Sequence, residues 1–196
     1  GYAFGGTIAE VAPDYPNVKF IALDVSKGDL LEAAAALAGT YQFTKPMIDE
    51  INARMAAEAR MEVLAAADNF EQMDVALVDG VTEVYKATNG AGVVVTSASK
   101  GFGGAVTVMT GFDAEGKITG VKVTDASQET PGLGSKATLP AYTGQFAGAT
   151  TVGFGEAATG DETRIDGVSG ATYTSTAVFN AVDAAVAQFA ELGGAF

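Results

Sequence analysis

The sequence has no cysteine, no histidine and no tryptophan, and it carries few positive charges. Without cysteine or histidine there is no thiolate or imidazole metal site, no disulfide framework, no cysteine nucleophile and no Ser-His-Asp triad. Lysine and arginine total 11 against 24 acidic residues, so the net charge is −13. This charge repels phosphate backbones, and we expect no nucleic-acid partner. We also expect no metal ion and no catalytic side chain.

The sequence also has no long hydrophobic run. Its most apolar stretch, Leu30–Gly39, contains Glu32 and is far shorter than the ~20 residues that span a bilayer. The first residues, GYAFGGTIAE, have neither the basic start nor the apolar core of a signal peptide. We expect the chain as given to be soluble and its N-terminus to be trimmed or incomplete.

The pattern predicts two unequal parts, an N-terminal appendage over 1–45 and a domain over 46–196. In the appendage, Val18–Val25 is typical of a buried strand, which is one half of a βα unit. The domain is predicted to begin with a helix at Pro46, since proline is tolerated in a first helical turn. The predicted apolar face of this helix consists of Met47, Ile48, Ile51, Met55, Ala59 and Val63.

After Asn69 the pattern changes to short runs rich in β-branched residues. VTEVYKAT, GVVVTSAS, AVTVMTGF and ITGVKVTDA are separated by glycine-containing turns, which is typical of antiparallel strands. We predict a hairpin turn over Asp113–Gly116, a bulge at Gly120, a short helix near Ala137–Phe146 and a terminal helix from about Ser175. The predicted fold class is α+β, an antiparallel β-meander sheet with flanking helices.

Glycine-rich stretches suggest phosphate binding only weakly. Gly132-x-Gly134-x-x-Ala137 is a degenerate dinucleotide fingerprint, but the surrounding strands are typical of hairpins and not of βαβ crossovers. The Gly-x-x-x-x-Gly-Lys-Ser/Thr loop is absent from the sequence. Ordinary turns remain the alternative interpretation of these glycines.

The start of the terminal helix, IDGVSGATYTSTAVFNAV, has more hydroxyls than a single N-cap requires. Either these hydroxyls are only an excess of capping groups, or one of them binds a ligand. Asp166-Gly-Val-Ser-Gly-Ala-Thr172 matches the flavinylation motif Asp-x-x-Ser/Thr-Gly-Ala-Thr, and QETPGLGSK precedes it. From about Pro46 to Leu192 the chain resembles the FMN-binding domain of the G subunit of Rnf-type ion-translocating oxidoreductases. The C subunit of sodium-translocating NADH:quinone oxidoreductase is similar.

The resemblance implies that FMN is bound covalently, through its phosphate, to Thr172. A helix N-terminus favours such an anion, because its backbone N–H groups are free and its dipole end is positive. Gly170 and Ala171 are expected to leave room for the phosphate, and Ser169 to cap the helix. Asp166 is expected to shape the turn or to be recognised by a separate flavin transferase, with an ordinary Asx turn as the alternative.

The resemblance also implies a slot for the isoalloxazine ring in the ETPGLG segment. Its predicted members are Glu129, Thr130, Pro131, Gly132, Leu133 and Gly134. The glycines are expected to allow close backbone approach to the ring, and Leu133 to contact it. Lys136 is a candidate for the phosphate or the ring carbonyls, and Tyr85 or Phe102 for an aromatic wall. Thr174 and Ser175 are expected to be caps and solvent contacts.

A tethered flavin without acid or base residues nearby favours one-electron transfer over hydride chemistry. The resemblance therefore implies an electron relay on the extracytoplasmic face of a membrane, with the other subunits of the redox complex and the flavin transferase as partners. The family has a membrane helix before the segment that matches TKPMIDE, and we expect that anchor to be absent or replaced in this chain. Residues 2–25 faintly resemble a basic-membrane-protein-type lipoprotein. The alternative is a soluble solute-binding or scaffold module whose flavinylation motif is unused.

Overall fold

The computed structural model describes the backbone of residues 27–194 and the side chains of residues 45–194. The strand predicted at Val18–Val25 lies outside the described residues. The chain divides into two compact units, Gly1–Asn52 and Ala53–Phe196. The division at 45/46 stays a prediction.

The first described element is the helix α1, Lys27–Val63, with Pro46 in its interior. The prediction that this helix begins at Pro46 is therefore wrong. An internal proline removes one backbone hydrogen bond and costs ~3 kcal/mol, but the Ala- and Leu-rich run over Leu30–Gly39 favours helix before it. No helix within residues 27–194 has both the length and the apolar character needed to cross a membrane.

Five strands form one antiparallel sheet in chain order. They are β1 Phe70–Gln72, β2 Val81–Ala87, β3 Gly92–Lys100, β4 Ala105–Asp113 and β5 Ile118–Asp125. The four predicted strands are confirmed, and β1 was missed because three residues carry too little pattern. The predicted hairpin turn is confirmed, and the bulge predicted at Gly120 lies one residue earlier. Gly116 donates its N–H to the Asp113 carbonyl, and the register shifts between Gly111–Gly120 and Phe112–Ile118, which leaves Thr119 as the extra residue.

The sheet is buried on both faces, which explains the run Val93–Val95. Val93 and Val95 belong to the main core with the terminal helix α3, Thr172–Leu192, whereas Val94 packs with Ala59 and Val63 at the end of α1. The predicted apolar face of the first helix is thus buried at those two residues. Its four earlier members are exposed: Met47, Ile48, Ile51 and Met55.

The segment after β5 is less regular than predicted. Instead of one helix over Ala137–Phe146, it forms a 3₁₀ turn at Gly134–Thr138, the short helix α2 at Pro140–Thr143 and a second 3₁₀ turn at Gly144–Phe146. Pro140 disfavours helical geometry at the residue before it, and Leu139 is extended with ψ 150°. A parallel pair, β6 Val152–Phe154 and β7 Thr163–Ile165, joined by the 3₁₀ turn Gly155–Ala157, then leads to α3. The α+β class is confirmed.

Candidate functional site

A cavity of about 200 Å³ lies where three segments of the chain meet. These are the loop between β3 and β4, the loop that follows β5, and the first turn of α3. The lining residues are Phe102, Glu129, Thr130, Leu133, Gly134, Gly170, Ala171, Thr172, Tyr173 and Thr174. The structure thus brings the ETPGLG segment and the helix start together, although 35 or more residues separate them in the sequence.

The carboxyl group of Glu129 joins the three segments. Its Oε1 accepts hydrogen bonds from the N–H groups of Gly103 at 2.8 Å and Gly104 at 3.4 Å. Its Oε2 accepts the hydroxyl hydrogen of Thr174. Only 5% of Glu129 is exposed. Burial acts to raise the pKa of Glu129, but the hydrogen bonds from Thr174 and from the backbone of residues 102–104 outweigh it and hold the pKa below its ordinary value.

The glycines of Gly101-Phe-Gly-Gly104 allow this loop to approach Glu129. A Cβ added to Gly101 would lie 2.5 Å from Glu129 Oε1. A Cβ at Gly103 would lie 1.8 Å from the Gln128 carbonyl oxygen, and one at Gly104 would lie 2.2 Å from Gln128 Oε1. The sequence suggested an ordinary turn here. The close packing against residues 128 and 129 was missed, because contacts between distant segments leave no local pattern.

The first turn of α3 presents one free aliphatic hydroxyl to the cavity, that of Thr172. Thr172 is exposed, and among residues 45–194 its hydroxyl has no hydrogen-bond partner. Thr174, two residues later, is 2% exposed and donates to Glu129. The prediction that Thr174 and Ser175 contact solvent is wrong, since Ser175 is fully buried and donates to the Ala171 carbonyl at 2.9 Å.

The helix start is not capped as expected. Its N-cap residue is Ala171, with no side-chain cap, so the capping role predicted for Ser169 is wrong. Ser175 reaches back instead, and its Oγ accepts the N–H of Val168 at 3.3 Å. The first three helical N–H groups have no acceptor earlier in the helix. They belong to Thr172, Tyr173 and Thr174, which all line the cavity.

The two glycines of the ETPGLG segment differ in their surroundings. Gly134 lines the cavity, and a Cβ there would lie 2.8 Å from Glu129 Cβ and 2.9 Å from Thr174 Oγ1. Gly132 does not line it and has φ +79° with open space around its Cα. Its N–H donates to Ser135 Oγ at 3.0 Å. Gly132 is therefore a turn glycine, and Gly134 is the one at a close approach.

Apolar side chains form the rim of the cavity. The rings of Phe102 and Tyr173 lie 5.9 Å apart, tilted by 49°, and the two residues are 70% and 71% exposed. Leu133, which is 46% exposed, also lines the cavity, and its Cδ2 would lie 3.5 Å from a Cβ added to Gly170. Of the two aromatic candidates, Phe102 is at the site, whereas Tyr85 lies elsewhere, with the Arg60 guanidinium 3.6 Å from its ring centre.

Comparison with known proteins agrees with this arrangement. Residues 101–187 match the FMN-binding domain family. The chain is 32% identical over 179 residues to the G subunit of the Na⁺-translocating ferredoxin:NAD⁺ oxidoreductase complex of Acetobacterium woodii, covering 82% of this chain and 86% of that protein. It is 34% identical over 163 residues to the G subunit of the ion-translocating oxidoreductase complex of Methanosarcina acetivorans, covering 79% and 85%.

The chain belongs to the G-subunit family of ion-translocating oxidoreductase complexes. A solved structure, NqrC of Shewanella oneidensis, is 25% identical, with a TM-score of 0.43 and coverage of 61% of this chain and 65% of that one. The match of this G-subunit homologue to the FMN-binding domain contains all three segments of the cavity. The resemblance stated from the sequence is confirmed.

Five predicted site residues of this G-subunit homologue do not line the cavity described above: Pro131, Gly132, Lys136, Asp166 and Ser169. Lys136 lines a different concavity of about 460 Å³.

Asp166 also lines that second concavity and not the first. Its carboxylate accepts from Arg164 Nε at 2.8 Å, and its backbone exchanges two hydrogen bonds with the Gln145 amide. These contacts hold the residues before the helix start, which agrees with the predicted shaping of the turn.

Proposed function

We propose that this chain carries FMN bound covalently by a phosphoester to Thr172 and relays single electrons in a membrane-bound ion-translocating oxidoreductase complex. The observation that carries the proposal is the free, exposed hydroxyl of Thr172 at the edge of the cavity. It lies in the FMN-binding match, in a family whose named relatives are oxidoreductase complex subunits.

The residues of the cavity fit FMN. A phosphodiester on Thr172 would lie against the unpaired N–H groups of the first helical turn, where the helix dipole favours an anion. The isoalloxazine is flat and largely apolar, and Leu133, Phe102 and Tyr173 offer an apolar surface beside the same turn. Gly170 and Ala171 add little bulk near the attachment point.

The geometry favours Thr172 over Thr174 as the attachment point. An acceptor oxygen needs an open approach for the phosphorus atom, and Thr172 has one. Thr174 is buried, its hydroxyl is engaged, and its partner Glu129 would repel an incoming phosphate. Ser169 lies outside the cavity lining.

The cofactor and the residues around it then have distinct roles. FMN supplies the redox chemistry, accepting and donating electrons one at a time. Thr172 retains it, the N–H groups of residues 172–174 bind its phosphate, and the rim residues orient its ring. The flavin transferase that makes the bond, the neighbouring subunits that exchange electrons with it, and the extracytoplasmic location are part of this proposal.

Mass spectrometry of the intact protein tests the attachment. After co-expression with a flavin transferase, the parent chain should gain the mass of FMN less one water, and Thr172→Ala should not. Thr176→Ala is the matched control, because it removes a hydroxyl at the same helix start that lies outside both the motif and the cavity lining, and it should stay flavinylated. A parent chain that never acquires flavin would favour the solute-binding or scaffold alternative. Flavin on Thr172→Ala would refute the assignment of Thr172.

A further inference from the structure

The wall of the cavity carries a buried charge. Glu129 is the single charged residue among the described residues that line the cavity. It is 95% buried, because 5% of it remains exposed. Water and salt screen a charge in such a position much less than a surface charge. A group bound in the cavity would therefore experience the field of this carboxylate.

The hydrogen bonds around Glu129 favour the ionised form. Both partners of Oε1 are backbone N–H groups, which donate and never accept. Oε2 accepts from Thr174, whose hydroxyl is directed at the carboxylate. A proton on Oε1 would compete with both N–H donors, and a proton on Oε2 would require the Thr174 hydroxyl to turn and accept instead of donating. The arrangement thus stabilises a fixed negative charge and not a neutral acid.

We propose that Glu129 lowers the reduction potential of the FMN bound in this cavity. The inference rests on the proposed function, since it requires flavin on Thr172. Each electron that the flavin accepts from a one-electron donor adds one negative charge to it, unless a proton from solvent follows. A fixed carboxylate nearby repels that added charge and so favours the oxidised cofactor. Glu129 is thereby a positioning residue that also sets the electrostatics of the site.

Two substitutions separate the charge from the hydrogen bond. Glu129→Gln removes the charge and keeps the shape, since its amide oxygen can accept from Gly103 and Gly104 while its NH₂ donates to Thr174. Thr174→Val breaks the same Thr174–Glu129 contact and keeps the charge. We expect a higher midpoint potential in Glu129→Gln and no upward shift in Thr174→Val, measured by spectroelectrochemical titration of the flavinylated proteins.

A purely structural role predicts a different result. If loosening of the loop were the cause, both variants would shift the potential in the same direction, and this outcome would overturn the proposal. An unchanged potential in Glu129→Gln would overturn it too. Absence of covalent flavin from the parent chain would instead contradict the proposed function, so the two failures are distinguishable.

A second pair of variants keeps the test decisive if Glu129→Gln does not fold. Thr130 is exposed and lies next to Glu129 in the cavity lining. Thr130→Lys should raise the potential relative to Thr130→Met, which has a similar length and no charge, and added salt should reduce the difference. Equal potentials for Thr130→Lys and Thr130→Met would show that charge on this wall does not reach the flavin, and the proposal would then be wrong.

Discussion

Gly134 lies so close to Glu129 that a Cβ at position 134 would be 2.8 Å from the Cβ of Glu129. The same added atom would lie 2.9 Å from Thr174 Oγ1. The loop after β5 and the first turn of α3 are therefore in contact at a point where only glycine fits, and the packing of the cavity depends on that contact.

Gly134→Ala should destabilise the protein, because the added methyl group must displace the Glu129–Thr174 pair. Overpacking of this kind costs ~1–3 kcal/mol. Gly144→Ala is the matched control, since a Cβ there meets nothing within 4 Å and its φ is −67°. That variant should be neutral or stabilised by about 0.4–1 kcal/mol. Urea unfolding followed by circular dichroism measures both, and equal stability of the two variants would contradict the packing described.

Acid should weaken the hydrogen bonds by which the Glu129 carboxylate joins the three segments. Its pKa is lower in the folded protein than its ordinary value of 4.5. The resulting stabilisation is fully present above the unfolded pKa, and it is lost as the pH falls through the lower, folded pKa. The free energy of unfolding should thus decrease below pH 4.5 more steeply in the parent than in Glu129→Gln. Parallel pH profiles of the two proteins would show that Glu129 is not held in its charged form.

The buried amide of Gln188 should contribute to stability at the other end of α3. Its Oε1 accepts from Val78 N at 2.7 Å, and its Nε2 donates to the Ala76 carbonyl at 3.1 Å. Gln188→Leu leaves both backbone groups without these partners. The free energy of unfolding should fall by ~1–3 kcal/mol for each group that gains no hydrogen bond from water. Glu191→Gln, at an exposed position of the same helix, is the control and should change stability little. Similar midpoints of thermal unfolding would contradict this role.

The proposed location has a direct test in cells that contain the whole complex. Protease added to intact cells, or to spheroplasts where an outer membrane is present, should degrade the domain over residues 46–196 while a cytoplasmic marker survives. Complete protection of the domain until the cells are lysed would place it on the cytoplasmic side instead.

The sheet was predictable from the sequence because each strand carries its own signal. Valine- and threonine-rich runs bounded by Asn-Gly or Asp-Ala-Glu-Gly turns specify hairpins locally. The short strands β1, β6 and β7 were not predictable, since three residues contain too few positions for any alternation. The 3₁₀ turns on either side of α2 were missed for a related reason, because Pro140 interrupts a run that otherwise favours helix.

The candidate site was predictable as two motifs but not as a cavity. The motif ending at Thr172 and the ETPGLG segment are each visible in the sequence. The resemblance to the FMN-binding domain assigned both of them to one site. The roles of Thr174 and Ser175 could not be read from the sequence, since any of the crowded hydroxyls at the helix start could cap it. The partner of Thr174, Glu129, depends on how distant segments pack, whereas Ser175 bonds to the Ala171 carbonyl of its own helix start.

The small volume of the cavity has a consequence for how a cofactor is kept. Sites that enclose a ligand usually measure ~300–1,000 Å³, and this one measures about 200 Å³. A flavin here would keep much of its surface in contact with solvent or with a neighbouring protein. Reversible binding of FMN to so small a cavity would follow mass action. The cofactor would then dissociate whenever the concentration of free FMN fell. A covalent bond at Thr172 makes occupancy independent of concentration, so the ring can stay open to approach without being lost.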